Sequence, residues 1–323
     1  MSTTAKDIMN NSYLLISPCR NEAEFMRTTI DSVVSQSVKP AKWIIVNDGS
    51  TDASASIIRQ YANLFDFIEV VTVPDRGHRS VGPGVVEAFN IGLSQANLDD
   101  YRFVCKLDLD VDLPQRYFEI LMERMHNNPR IGTCSGKPYS RRGRWLLSEK
   151  RGDEMSVGMT KFYSVSCFKQ IGGFVPEVMW DAIDCHRCRQ LGWIACSWDD
   201  PELRFVHLRA MGSSQNGIYQ GKMRHGYGQY FMGTGLVYMF ATSVYRMLEP
   251  PYMLGGAAMF WGYLRSMINR AHQYQDAELS QFIRAYQWRC LFLGKRQATS
   301  QLDQQQQPVW KKYRHRKRVV PTT

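Results

Sequence analysis

At 323 residues, with 44% hydrophobic and 22% charged side chains, the chain can bury a sizeable core, which excludes a disordered or fibrous protein. Its net charge of +10 is unevenly placed: six cations and no acid lie between Lys311 and Arg318, so the remainder carries only +4. The eight cysteines show no secreted-scaffold spacing and Met1 to Asn11 is polar, so no leader and reduced thiols in a cytoplasmic setting are expected.

The first half alternates strand and helix patterns. Tyr13 to Ser17 reads as a buried strand, followed by a helical pattern from Glu22 through Val34. Trp43 to Asn47 is a second strand, capped by Asp48-Gly-Ser-Thr-Asp52 and a helix over Ala53 to Tyr61. A third strand covers Phe67 to Val73, then a Gly-rich loop and a helix from Val85 to Gln95. A fourth begins at Tyr101 and runs into Lys106-Leu-Asp-Leu-Asp-Val-Asp112. This alternation predicts a mostly parallel α/β sheet flanked by helices. Further helices are expected over Gln115 to His126 and from Asp181 to Leu191, with a strand at Leu203 to Val206.

The span from Gly226 to Tyr245 has no charge, and neither does Pro250 to Leu264. Two readings stand: a hairpin lying in one leaflet, anchored by Arg246 and Arg265, or a buried hairpin of a soluble domain. Gln301 to Gln307 and the basic residues after it read as a disordered tail that touches anionic lipid or nucleic acid, or is simply solvated. The expected partition is a tail (1–11), a nucleotide-sugar half (12–112), an acceptor and catalytic half (113–225), a helical hairpin region (226–296) and a disordered tail (297–323).

The acidic segment carries the most chemistry. It lies at the C-terminal end of a strand, where open α/β sheets bind ligands. Asp108 and Asp110 fall on one side of an extended segment, and two close carboxylates call for a cation between them. Hard oxygen ligands suit Mg²⁺ or Mn²⁺, which bind diphosphates in turn. The alternative is a solvated acidic turn. Cys185-His-Arg-Cys188 has no second cysteine pair at suitable spacing, so zinc is not expected.

Four ordered motifs, Ile16-Ser-Pro-Cys-Arg-Asn-Glu22, Val46-Asn-Asp-Gly-Ser-Thr-Asp52, Lys106-Leu-Asp-Leu-Asp110 and Gly172-Gly-Phe with Trp180-Asp181, resemble glycosyltransferase family 2 over residues 12 to 210. The resemblance implies the A-type glycosyltransferase fold and inverting transfer of a sugar from a nucleotide diphosphate, UDP ahead of GDP, to a hydroxyl acceptor. It places Pro18, Arg20, Glu22, Asp48 and Ser50 at the nucleotide, with Arg76 or Arg79 at a phosphate and Asp52 left to cap its helix. It gives Asp108 the ribose and Asp110 the Mg²⁺ or Mn²⁺, with His207 beside them. Asp112 departs from the commonest spacing and stays outside the metal's ligands. Trp180 replaces the family's usual first acid and is a candidate to stack on the acceptor; Asp181 is the candidate base, with Asp184 its rival on the same turn.

The uncharged runs and Arg141, Arg142 and Arg144 extend this to a lipid-diphosphate acceptor in surface polysaccharide assembly, handled peripherally on the inner face of the cytoplasmic membrane. Two other classes fit the sequence less well. A nucleotidyltransferase usually has a Gly-rich phosphate loop after its first strand, and Pro-Cys-Arg-Asn-Glu is not one. A basic nucleic-acid module leaves the acidic segment unexplained, so nucleic acid is not an expected partner.

Overall fold

The computed structural model describes residues 12–78, 80, 82–209, 217–249 and 251–313. Alternation begins as the sequence predicts: β1 (Tyr13–Cys19), α1 (Met26–Val34), β2 (Lys42–Asp48), α2 (Ser54–Ala62), β3 (Ile68–Val73) and α3 (Pro83–Leu93). The strands are apolar on both faces because helices cover both. Tyr13, Leu15, Trp43 and Ile45 enter one core layer, whereas Leu14, Ile16, Ile44 and Val46 enter the other. Helix α1 starts four residues later than its periodicity suggests. Asn21 has a positive φ of 55°, and the Glu22 N–H donates to Ser54 Oγ at 2.9 Å. That turn turns Glu22 away from the helix.

After these come β4 (Phe103–Leu107), β5 (Val111–Asp112), α4 (Tyr117–Asn127), β6 (Ile131–Ser135), β7 (Lys137–Arg142), β8 (Trp145–Ser148), β9 (Thr160–Ser164), α5 (Val165–Ile171), α6 (Trp180–Gln190), β10 (Ile194–Ser197) and β11 (Arg204–His207). Seven strands form one sheet in the order β10-β6-β9-β4-β1-β2-β3, parallel except that β9 runs against both neighbours. A second sheet has the order β5-β11-β7-β8. The acidic segment therefore bridges two sheets: Lys106 and Leu107 end a strand of the first, and Val111 and Asp112 form a strand of the second.

Helices α7 (Ile218–Phe231), α8 (Leu236–Arg246), α9 (Leu254–Ile268), α10 (Ala277–Leu293), α11 (Lys295–Gln305) and α12 (Gln307–Tyr313) complete the chain. The helical region thus opens at Ile218, ahead of the expected boundary at 226. Among the described residues no helix is long and apolar enough to cross a membrane. The glycines of the uncharged runs have a packing reason: a Cβ on Gly226 would strike the Met259 carbonyl, and one on Gly262 that of Met223. They let α7 and α9 cross closely. Much of α8 nonetheless stays uncovered, with Phe240 56% and Tyr245 61% exposed.

The tail reading requires correction. Residues 295–313 are helical, and Ala298 and Leu302, one turn apart, bury against Tyr286 and Cys290. Asp303 pairs with the buried Arg189 at 3.3 Å, and Trp310 meets Trp193 edge-on. A Gln-rich composition hid this apolar stripe, whose spacing is helical. Residues 314–323 lie outside the described residues. Leu302→Ala is expected to cost about 2–4 kcal/mol of unfolding free energy in a denaturant titration. An unchanged midpoint would mean that this helix does not dock.

Candidate active site

Strand β9 lies antiparallel to β4 and sets Lys161 directly across from Lys106. Both side chains are almost fully buried, and both ammonium groups approach the Trp180 ring, at 5.3 Å for Lys106 and 5.6 Å for Lys161. Each has its own carboxylate: Lys106 pairs with Asp108, and Lys161 with Asp184. Burial alone would discharge Lys161, but Asp184, Cys185 and Asp181 hold its pKa above the ordinary lysine value. Lys161 also donates to the Asp181 carbonyl at 2.7 Å, fixing the first turn of α6.

This geometry separates the two base candidates. Asp184 is 2% exposed and takes hydrogen bonds from Lys161 and Tyr163, so it is structural. Asp181 lines the main cavity, a cleft of about 530 Å³. Gly158 passes so close to it that an added Cβ would lie 2.9 Å from Asp181 Oδ2. Trp180 also borders the cavity but is only 8% exposed, and Phe174 packs against its ring at 4.6 Å. The stacking role expected of Trp180 is corrected accordingly: little of its ring is open to a sugar, because the lysine pair and Phe174 use it.

The same cavity is lined by Pro18, Arg20, Glu22, Asp48, Asp108, Asp110 and His207. The acidic turn is tied down by its backbone: Asp108 N–H donates to the Met159 carbonyl at 2.8 Å, and Leu208 N–H to the Asp110 carbonyl at 2.8 Å. Burial and the neighbouring Asp110 lift the Asp108 carboxyl above its usual range, with Lys106 opposing. Burial pushes Asp110 the same way, yet His207, Arg209 and Lys106 hold it below. His207 stands 3.7 Å from Asp110 Oδ2, and its Nδ1 meets Glu149 Oε1 at 2.9 Å.

These residues fit a divalent cation. Asp110 Oδ1 is buried without a hydrogen-bond partner among the described residues. Among those residues no three metal-ligating side chains converge, so a cation here would draw further ligands from substrate oxygens, as Mg²⁺ commonly does.

Other expected residues sit differently. Both oxygens of Asp48 accept from Arg76 at 2.6 Å, and Arg76 reaches Glu87 at 2.8 Å. Asp48 still borders the cavity, with Arg76 held beside it. Arg20 donates to the Asp48 carbonyl and to Asp75, each at 2.6 Å, bracing the same loop. Ser50 is outside the cavity lining and accepts from the Asn21 N–H at 3.1 Å. Asp52 accepts from the Ser54 N–H at 2.9 Å where α2 begins, a local structural role. Arg79 lies outside the described residues. Cys185 and Cys188 are buried free thiols.

Three residues escaped sequence reasoning. Arg209 bonds Glu22, lies 3.4 Å from Asp110 Oδ2 and faces the Phe25 ring. Its position two residues past His207, on the same side of an extended chain, was the available signal. Glu149 and Lys161 gave none, because only the folding of β8 and β9 brings them in.

The glycosyl transferase family 2 profile matches residues 14–180. The chain belongs to that family. Among its relatives, the poly-beta-1,6-N-acetyl-D-glucosamine synthase of Staphylococcus epidermidis is 32% identical over 138 residues, covering 43% of this chain and 31% of that protein. The enzyme of the same name from Staphylococcus aureus (strain COL) is 30% identical over 131 residues, 41% of this chain and 29% of that one. The matched region is thus about a third of the length of these curated relatives. Two solved structures share the fold: GalNAc-T7 with UDP, GalNAc and Mn²⁺ (TM-score 0.53, 12% identity, 81% of this chain and 55% of that one) and S. aureus TarS 1-349 with UDP (0.50, 13%, 96% and 94%). The architecture of this family 2 glycosyltransferase is accordingly the A-type glycosyltransferase fold, a mixed sheet flanked by helices with a helical C-terminal region.

Removing the buried partner of Lys161 should harm folding, not chemistry alone. Asp184→Ala is expected to lose about 3–5 kcal/mol of stability. Asp181→Asn should melt with the wild type in thermal denaturation; equal melting of both variants would contradict the assignment.

Proposed function

We propose that this chain transfers a sugar, with inversion, from a UDP-linked donor to a hydroxyl of a growing, lipid-linked surface polysaccharide. The observation that carries the reading is that the acidic turn and Asp181 line one and the same cavity. Pro18, Arg20 and Glu22 border the nucleotide, Asp108 the ribose and Arg209 the diphosphate. Asp110 and His207 would hold Mg²⁺ or Mn²⁺, which supplies charge neutralisation at the departing diphosphate. Glu149 fixes the His207 ring so that Nε2 faces Asp110.

Asp181 takes the proton of the acceptor hydroxyl as that oxygen bonds to the anomeric carbon. The bond from that carbon to the diphosphate oxygen breaks, and the nucleoside diphosphate leaves. Attack opposite the leaving group inverts the centre. UDP is favoured by the family resemblance and by the nucleotide in the two fold relatives. The polysaccharide acceptor is favoured by the names of the curated relatives. The exposed apolar residues of α8 support a peripheral site on the inner membrane face.

Calorimetric titration of UDP and GDP, with and without Mn²⁺, tests the donor site. Metal-dependent binding of UDP, abolished in Asp110→Asn, is expected; binding of neither nucleotide to folded protein would sink the reading. Glu149→Gln should weaken the Mn²⁺-dependent UDP affinity by about 10–100-fold. Asp181→Asn should keep UDP affinity while turnover falls about 10²–10⁴-fold. Unchanged turnover would remove Asp181 from its role.

A further inference from the structure

Past Asp181 the cavity continues between helices that supply nothing to the acidic motif. Arg151, from the segment after β8, lines it together with His225 of α7 and Arg246 of α8. Lys222 lies one turn before His225 on α7, beside the start of α9, where a Cβ on Gly255 would touch its Cε at 3.7 Å. These groups sense one another. His225 is open to the cavity yet ringed by protein, and that enclosure, then Arg151, Arg246 and Lys222, lowers its imidazole, with Asp181 pulling the other way. Burial, Arg246 and Arg151 likewise lower Lys222. Among the described residues, the acids that act on the cluster include Asp181, which the proposed mechanism uses, and Glu249, which pairs with Arg246.

Arg151, Lys222 and Arg246 bring more positive charge to this wall than Asp181 and Glu249 offset, and guanidinium forks match phosphate geometry. We propose that Arg151, Lys222, His225 and Arg246 form a subsite that holds a phosphate or diphosphate group of the acceptor beside Asp181. The proposal rests on the transferase reading and names its acceptor class. It moves that role away from Arg141, Arg142 and Arg144, which stand around an exposed hairpin tip and are absent from the cavity lining. The subsite makes and breaks no bond; it sets the acceptor hydroxyl within reach of the base. The exposed Phe240 and Val244 on the helix of Arg246, with Leu248 and Tyr252 after it, favour a phosphate carried on a lipid.

The test titrates farnesyl phosphate and inorganic phosphate into the full chain in metal-free buffer, with UDP binding in Mn²⁺ measured separately. Farnesyl phosphate is expected to bind. The double variant Lys222→Gln/Arg246→Gln should lose about tenfold or more in affinity while UDP binding is unchanged. Arg246→Lys, which keeps the charge, should stay within about threefold of wild type. Tighter binding of farnesyl than of inorganic phosphate assigns the group to a lipid; equal binding assigns it to a soluble phosphorylated acceptor. The proposal falls if neither probe binds, or if the double variant binds farnesyl phosphate as well as wild type. Loss of UDP binding with phosphate binding intact would instead remove the donor reading and leave the anion subsite standing.

Discussion

Two lysines facing each other across an antiparallel strand pair govern this active site. Lys106 and Lys161 are nearly or fully buried, where an unpaired ammonium is untenable. Each therefore dictates a carboxylate, Asp108 on its own strand end and Asp184 on α6. The first pairing pins the donor motif, and the second pins the helix that presents Asp181. Trp180 spans both, so the acidic turn and the first turn of α6 share one electrostatic foundation. Such pairs are weak sources of net stability. Here their geometry is the useful product, since it orients a helix turn and an acidic turn relative to each other.

The two carboxylates of the acidic turn are held in unlike states. Asp108 is raised by burial and by its neighbour, while His207 and Arg209 keep Asp110 low. Lys106 occupies Asp108, whereas the Asp110 Oδ1 is left without a hydrogen-bond partner among the described residues, which fits it to a cation. The bridging position of the turn makes it possible: β4 belongs to the large sheet and β5 to the small one, so β11 brings His207 alongside. A turn confined to one sheet would have no such neighbour.

Much of this was legible in sequence wherever the signal was local. Apolar runs on both faces specified the central strands, and residues of the ordered motifs, Asp108, Asp110 and Asp181 among them, line one cavity. The misreadings share a cause: a partner distant in the chain. Trp180 reads as a sugar platform until the two lysines occupy it. The glycines of the uncharged run serve close helix crossings, a use that the sequence alone does not separate from a hairpin lying in one leaflet. The Gln-rich tail conceals a two-residue apolar stripe, and its anchor, Arg189, belongs to α6.

The segment from Glu149 to Met159 joins the two halves of the chemistry. At its start Glu149 holds His207, and at its end Gly158 accepts from Lys106 at 3.0 Å while pressing on Asp181. Between them Arg151 faces the helices of the acceptor side. One stretch of backbone thus contacts the acidic turn's neighbours, Asp181 and the basic wall of α7 and α8. The stretch is itself restrained: Lys137 donates to the carbonyls of Arg151 and Gly152 at 2.7 Å, and Ser135 Oγ accepts from the Val157 N–H at 2.9 Å. Side chains of β6 and β7 thereby hold in place a connection that carries no secondary structure of its own between β8 and β9, as preorganised chemistry on a loop requires.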